Sequence, residues 1–247
     1  MRYPSRLFLL LILFVFFAAP SASSQEEFPV LEGIMEAKET VEISSQSPGI
    51  IDEIVVERGA QVKKGDVLVK LKSAVEKSAV ELAKAHVEFN TRKLQRSEEL
   101  SRKKLISPHE KDELETELEI RKLELQEATE ILNMKTITSP VQGIILDRSS
   151  SPGEYVGENI TIMTIVQIDP LHVEIVAPVE LFGKIKKGMP AIIRPEAPIS
   201  GEYKAQVTIV DQVIDAASGT FGIRLELPNP SLRLPAGLKC KIKFSVN

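Results

Sequence analysis

The stretch KSAVEKSAVELAKAHVEFNTRKLQRSEELSRKKLISPHEKDELETELEIRKLELQEATEILNMK, residues 72–135, decides how the rest of the chain is read. It holds no glycine and a single proline, Pro108, and is rich in charged residues and good helix formers. On either side, residues 47–71 and 137–168 are β-branched runs broken by Gly and Pro turns. These flanks read as two halves of one small β domain that the charged block has split.

Within the block, apolar residues recur at helical spacing from Ala74 to Lys104, and the seven-residue series Val75, Leu82, Phe89 predicts a narrow apolar seam on a charged helix. Beyond Phe89 the series turns polar, so the distal third is expected to be less well packed or to meet something else. Ser107, Pro108 and Glu110 then form a start signal, with Ser107 as N-cap, Pro108 in the first turn and Glu110 completing a capping box. A second helix to about Met134 follows, with Leu118, Leu125 and Leu132 again seven apart. Two such helices joined by a tight turn predict an antiparallel coiled-coil hairpin about 45 Å long at ~1.5 Å per residue.

The flanks share a plan. Ser47-Pro48-Gly49-Ile50-Ile51 answers Ser139-Pro140-Val141-Gln142-Gly143-Ile144-Ile145, and each is followed by a glycine turn and another β-branched strand. An internal repeat of this kind points to one pseudo-symmetric domain, split by the hairpin. From Asp169-Pro170 onward about six alternating strands separated by Pro, Gly or Asn turns predict a small closed barrel, to which residues 31–46 add a strand. Flexible joints are expected at the hairpin base, near Lys72 and Ile137, and at Asp169-Pro170.

The N-terminus reads as a secretory signal: Arg2 and Arg6, the apolar run Leu7 to Ala19, and small residues up to Ser24, where cleavage is expected. The run is shorter than the ~20 residues of a spanning helix, which leaves an uncleaved anchor as the alternative. Removing residues 1–24 takes two arginines and no acid from 31 Lys+Arg and 35 Asp+Glu, moving the net charge from −4 to −6. So acidic a chain is a poor nucleic-acid binder. Cys240 is the single cysteine, so an internal disulfide is excluded, and its place in an alternating strand makes it a buried structural thiol.

Taken together, these motifs resemble the periplasmic adaptors of the membrane fusion protein (hemolysin-D-like) family. The resemblance rests on SPGIIDEIVVERGAQVKKGDVLVKL at 47–71, ITSPVQGIILDRSSSPGEYVGENITIMTIV at 137–166 and DAASGTFGIRLELPNPSLRLPAGLKCKIKF at 215–244. It implies a mixed α and β, multi-domain, elongated fold: a signal peptide (1–24), a split lipoyl-like β-sandwich (47–71 and 137–168), an α-helical hairpin (72–136) inserted in it, and a small β-barrel (31–46 and 169–247). The family's membrane-proximal domain is expected to be missing.

The same resemblance implies a periplasmic subunit of a tripartite efflux system in a Gram-negative envelope, held at the inner membrane by its pump. Its partners would be an inner-membrane transporter of the resistance–nodulation–division type, a TolC-type outer-membrane channel, and further copies of itself in a trimer or hexamer. An adaptor of an ATP-driven exporter is the alternative. Adaptors that engage such channels carry Arg, then Leu four residues on, then Ser seven beyond; here Arg96, Leu100 and Ser107 fill that spacing. Arg96 and Leu100 lie one turn apart, so a guanidinium and an apolar side chain can meet a partner together.

Other functions are disfavoured. A lipoyl or biotinyl carrier would modify Lys72, but the residues around it lack the carrier pattern and a helix begins there. Metal handling would call for clustered thioethers or imidazoles, whereas His86, His109, His172 and the methionines are scattered. The carboxylates at Asp52, Glu53 and Glu57, and from Asp112 to Glu119, are explained by solvation and helix pairing, and no nucleophile–base set or phosphate loop is present. No enzymatic activity, cofactor or metal is expected.

Overall fold

Thr220 to Leu227 and Lys239 to Phe244 show the rule by which the larger β body is built: every second side chain is buried, and the residues between face outward. The computed structural model describes residues 28–102 and 107–245. In chain order its strands are β1 (Leu31–Ser44), β2 (Gly49–Ile54), β3 (Gln61–Val62), β4 (Val67–Leu71), β5 (Thr136–Thr138), β6 (Gly143–Arg148), β7 (Tyr155–Val156), β8 (Thr161–Pro178), β9 (Pro190–Pro195), β10 (Tyr203–Val210), β11 (Thr220–Leu227) and β12 (Lys239–Phe244). Helices α1 (Ala74–Arg102) and α2 (Pro108–Asn133) fall between β4 and β5.

Six strands pair in the order β1-β12-β9-β10-β11-β8, and β8 pairs back onto β1, so the sheet closes into a barrel. Closure removes the open edges that would otherwise invite aggregation. Its interior is filled by Met35, Leu171, Val173, Ile193, Leu225, Ile242 and their neighbours, with Phe28 edge-on to Phe244 at one end. Gly33 sits where β1 squeezes between β8 and β12; a Cβ there would lie 2.6 Å from the Glu174 carbonyl oxygen. Cys240 faces this interior, and burial pushes its thiol up to about 11.

The second body is a sandwich. The far halves of β1 and β8, with β6 and β3, form one layer, and β5-β4-β2-β7 form the other. Between them lie Ile43, Ile51, Leu68, Leu71, Ile145, Ile162, Met163 and Ile165. Residues 31–46 and 161–178 therefore do not divide at a linker. β1 pairs with β8 from Gly33 opposite Ile175 to Ser44 opposite Thr161, with a register shift between Ala37 and Glu39. One two-stranded ribbon thus serves both cores.

The Asp169-Pro170 link expected as a joint lies inside this ribbon and is braced from the side. The Asn229 backbone amide donates to Asp169 Oδ1 (2.7 Å), while its side-chain amide donates to the carbonyls of Ile168 (3.0 Å) and Leu234 (2.8 Å). Residues 1–24, read as a secretory signal, lie outside the described residues. Among those described, no helix is long and apolar enough to cross a membrane.

Candidate functional site

Two helices leave the sandwich from adjacent strands. β4 and β5 pair, with Val67 opposite Thr138, so the chain departs and returns side by side and α1 and α2 must run antiparallel. Lys135 fixes the base: it is almost wholly buried, its ammonium donates to the Pro48 carbonyl (2.9 Å), and it pairs with Glu76 at 3.3 Å. Leu71 N–H donates to the Lys135 carbonyl (2.8 Å) and Lys72 N–H to that of Ile50 (2.9 Å). Lys72 is therefore the passage from strand to helix, not the tip of a strand hairpin where a carrier lysine would be presented.

Along α1 the residues turned toward α2 are Val80, Ala83, Val87, Asn90, Leu94 and Ser97, all buried or half-buried. On α2 the matching set is Lys111, Leu114, Leu118, Arg121, Leu125, Ala128 and Leu132. Both follow the alternating three- and four-residue steps of a coiled-coil seam. The expected α2 series Leu118, Leu125, Leu132 thus lies inside. The expected α1 series does not: Val75, Leu82 and Phe89 are 79%, 62% and 53% exposed. Any heptad position repeats every seven residues, and the larger side chains favoured the wrong stripe. Which stripe turns inward is set by how α1 leaves β4, a constraint that side-chain size does not encode.

Toward the distal end the true seam does become polar. Asn90 Nδ2 donates to its own helix at His86 (3.0 Å), and Ser97 Oγ is buried without a hydrogen-bond partner. Charges hold the level of the helices there. Arg121 hydrogen-bonds Glu117 and, helped by Lys93 across the pair, holds that carboxyl below its usual range. Lys111, bonded to Glu115 and facing Glu98 of α1, is pushed up.

Arg96 and Leu100 lie on the exposed outer side of α1, Leu100 at 42% exposure, so the structure brings them onto one strip. Ser107 caps α2, its hydroxyl accepting from Glu110 N–H (3.2 Å) and remaining exposed. Residues 103–106, between Arg102 and Ser107, lie outside the described residues. Sequence reading missed Lys135; its signal was a lysine at a seam position, three residues after Leu132 and directly before a strand.

A closed barrel joined by a shared ribbon to a sandwich that sprouts two helices defines a class of domain architecture, and the comparisons name it. Residues 39–167 match the CzcB-like barrel-sandwich hybrid domain, and residues 170–247 the CusB-like β-barrel domain. The chain belongs to the membrane fusion protein family of periplasmic adaptors. It is 24% identical over 237 residues to the multidrug/solvent efflux pump periplasmic linker protein MepA of Pseudomonas putida, covering 88% of this chain and 61% of that one. The chain spans about three fifths of the curated relatives it matches.

Among solved structures, a MacA–MexA chimera containing the Pseudomonas aeruginosa MexA α-hairpin superposes with TM-score 0.75 at 22% identity, over 89% of this chain and 81% of that one. A putative efflux transporter from Bacteroides eggerthii gives 0.74 at 17% identity, over 87% and 68%. At these identities the likeness is one of fold.

Proposed function

We propose that this chain is a non-enzymatic periplasmic adaptor that couples an inner-membrane transporter to an outer-membrane channel in an efflux system. The observation that carries it is the helix pair: a slender arm rooted in the sandwich at Lys135, which presents Arg96 and Leu100 to solvent far from either β core. The arm is a coiled-coil hairpin inserted in a lipoyl-like domain, and Arg96, Leu100 and Ser107 at its distal end contact a TolC-type channel. Similarity to a protein described as an efflux pump periplasmic linker supports the same assignment.

So narrow an arm makes a small contact, and tight engagement calls for several copies arranged around the channel, as a trimer or hexamer. The pump is of the resistance–nodulation–division type and supplies the energy; the adaptor performs no chemistry and holds no cofactor. Co-purification of an ATPase transporter with the chain would replace that pump class by an ATP-driven exporter.

The test is the double substitution Arg96→Glu with Leu100→Asp. Both side chains are exposed, so the helical signal and thermal unfolding stay unchanged, while site-specific cross-linking to the channel and resistance to exported compounds are lost. Wild-type cross-linking in that variant would refute the tip assignment.

A further inference from the structure

We propose that the end of the barrel remote from the arm rests on a lipid bilayer, with apolar side chains of its rim inserted below the headgroups. This goes beyond the adaptor reading and takes from it only the direction in which the arm points.

The strand ladder fixes which end that is. β8 finishes at Pro178 opposite Thr220, where β11 starts, and β10 finishes at Val210 opposite Ile223. Leu31, where β1 starts, pairs with Ile242 near the end of β12. The described chain therefore enters and leaves the barrel at this end, which also carries the segments 179–189 and 211–219 between strands. From here the β1–β8 ribbon runs the other way, through the sandwich to Ser44 opposite Thr161, and the arm base at Pro48 and Lys135 lies just beyond. Arm and barrel end are opposite poles.

Exposed apolar side chains gather at the barrel pole. Val213 is 81% exposed, and Ile214, Val179, Phe182 and Ile209 are each more than a third exposed. Among the described residues, the loops at the sandwich end of the barrel, 196–202 and 228–238, show no such side chain. Local structure holds the apolar groups out. A register shift after Val207 turns Ile209 outward. Leu181 and Ile185 are buried and plug the barrel mouth, which leaves Phe182 outside them, edge-on to Phe221. Asp211 N–H donates to the Gly222 carbonyl and Asp215 bridges Thr220, so Gln212, Val213 and Ile214 stand against Phe221 alone and loop outward.

The two segments are neutral, with Lys184, Lys186 and Lys187 against Glu180, Asp211 and Asp215. On the wall beside them Glu32 stands opposite Lys241 in register, and Lys243 follows. Asp211 lies against Gly222, and Asp215 is turned into its own loop, accepting from Ala217 and Ser218 N–H (2.8 and 3.3 Å), which holds its carboxyl below the usual range. So balanced a rim has little long-range attraction for an anionic surface. Apolar insertion carries the contact, while lysine stems extend along it and keep their ammonium groups among the phosphates.

The course of the chain selects a bilayer as the occupant. The apolar run Leu7 to Ala19 ends nine residues before Phe28, whose ring packs edge-on to Phe244 at this same pole. Nine residues reach no more than ~32 Å, so the run, while it lies in a membrane, brings this pole to the surface and leaves the arm pointing away. In a ring of copies every barrel presents the same pole to the same plane, and weak insertions add.

The experiment uses the full chain, produced with its own leader, carrying an environment-sensitive fluorophore at Val213→Cys, with vesicles of phosphatidylethanolamine and phosphatidylglycerol brominated in their acyl chains. Cys240 is buried, its thiol pushed up to about 11, and does not compete for label. The emission should shift to the blue and be quenched by the bromolipid at least fivefold more than that of a label at Ser200→Cys, at the sandwich end of the barrel. With the label moved to Val179→Cys, adding Val213→Asp and Ile214→Asp should cut quenching at least fivefold while thermal unfolding stays unchanged. Brominated phosphatidylcholine vesicles should quench to within twofold of the anionic ones.

Equal quenching at positions 213 and 200, or none at either, overturns the proposal. So does quenching confined to anionic vesicles, which is headgroup attraction without insertion. A response at position 213 that needs no vesicles and rises with chain concentration assigns the rim to a second copy, and one that appears only with a detergent-solubilised transporter assigns it to the pump; either replaces the bilayer. Arg96→Glu with Leu100→Asp leaves the quenching unchanged, and Val213→Asp with Ile214→Asp leaves channel cross-linking unchanged, so the tip contact and the bilayer contact fail separately.

Discussion

The β bodies and the helix pair are held together in different ways. In the barrel and sandwich, Leu68, Ile165, Leu171, Val173, Ile193 and Leu225 are fully removed from solvent, and the ladder closes on itself. Among the described residues of the helix pair, only Val80 and Leu118 are buried apolar side chains, while Asn90 and Ser97 occupy seam positions. Two layers of sheet enclose a core; two helices enclose only a line. The arm is thus stable enough to form on its rigid base yet leaves apolar surface to offer a partner.

Substitutions should sharpen this contrast. The largest effect is expected from Leu225→Ala in the barrel, about 3–5 kcal/mol by chemical denaturation, as the cavity there has closed walls on every side. In the seam, Leu118→Ala should cost about 2 kcal/mol, near the lower end for buried leucines, since a two-helix line partly collapses onto the gap. Lys135→Ala should cost on the order of 1–2 kcal/mol, by leaving the Pro48 carbonyl and Glu76 unpaired, with faster amide exchange at Leu71 as its local signature.

A smaller effect is expected with pH. His172, beside Arg224, Glu174, Glu226 and Lys38 on the barrel wall, is held below the ordinary imidazole value by burial and by Arg224. As pH falls below about 6.5 the unfolded chain takes up the proton first, so barrel stability declines toward the lower folded value and is unaffected above it. Thermal unfolding of His172→Gln should lack that part of the decline. Least affected should be Phe89→Ser, within about 0.5 kcal/mol of wild type; a loss as large as that of Leu118→Ala would erase the distinction between inner seam and outer stripe.

Much of this was legible in the chain. The Gly- and Pro-bounded runs at 47–71 and 137–168 fold together because their β-branched residues alternate, and the charged block between them is helical on both sides of Ser107-Pro108 because no glycine and no further proline interrupts it. Ser107 and Pro108 marked the start of α2 to the residue. What stayed hidden depends on distant geometry. Val75, Leu82 and Phe89 have the period of a seam, but only the exits from β4 and into β5 decide that they face outward. Similarly, the 14 residues of β1 alternate without a turn, and no local pattern reveals that its two halves enter different cores. Arg96 and Leu100 were found by spacing, and exposure agrees with a contact role without assigning one.

The ribbon of β1 and β8 also determines how the molecule carries load. Because both strands run unbroken from barrel to sandwich, tension between the two bodies is borne by covalent backbone, and no hydrogen-bonded ladder has to unzip. At the register shift, where Ile168, Asp169 and Pro170 of β8 stand against Lys38 alone, Asn229 braces the ribbon from the side. An arm rooted in the sandwich is thereby tied to the barrel through two continuous backbones, and a pull on one body reaches the other along them, as a stay carries load from mast to hull.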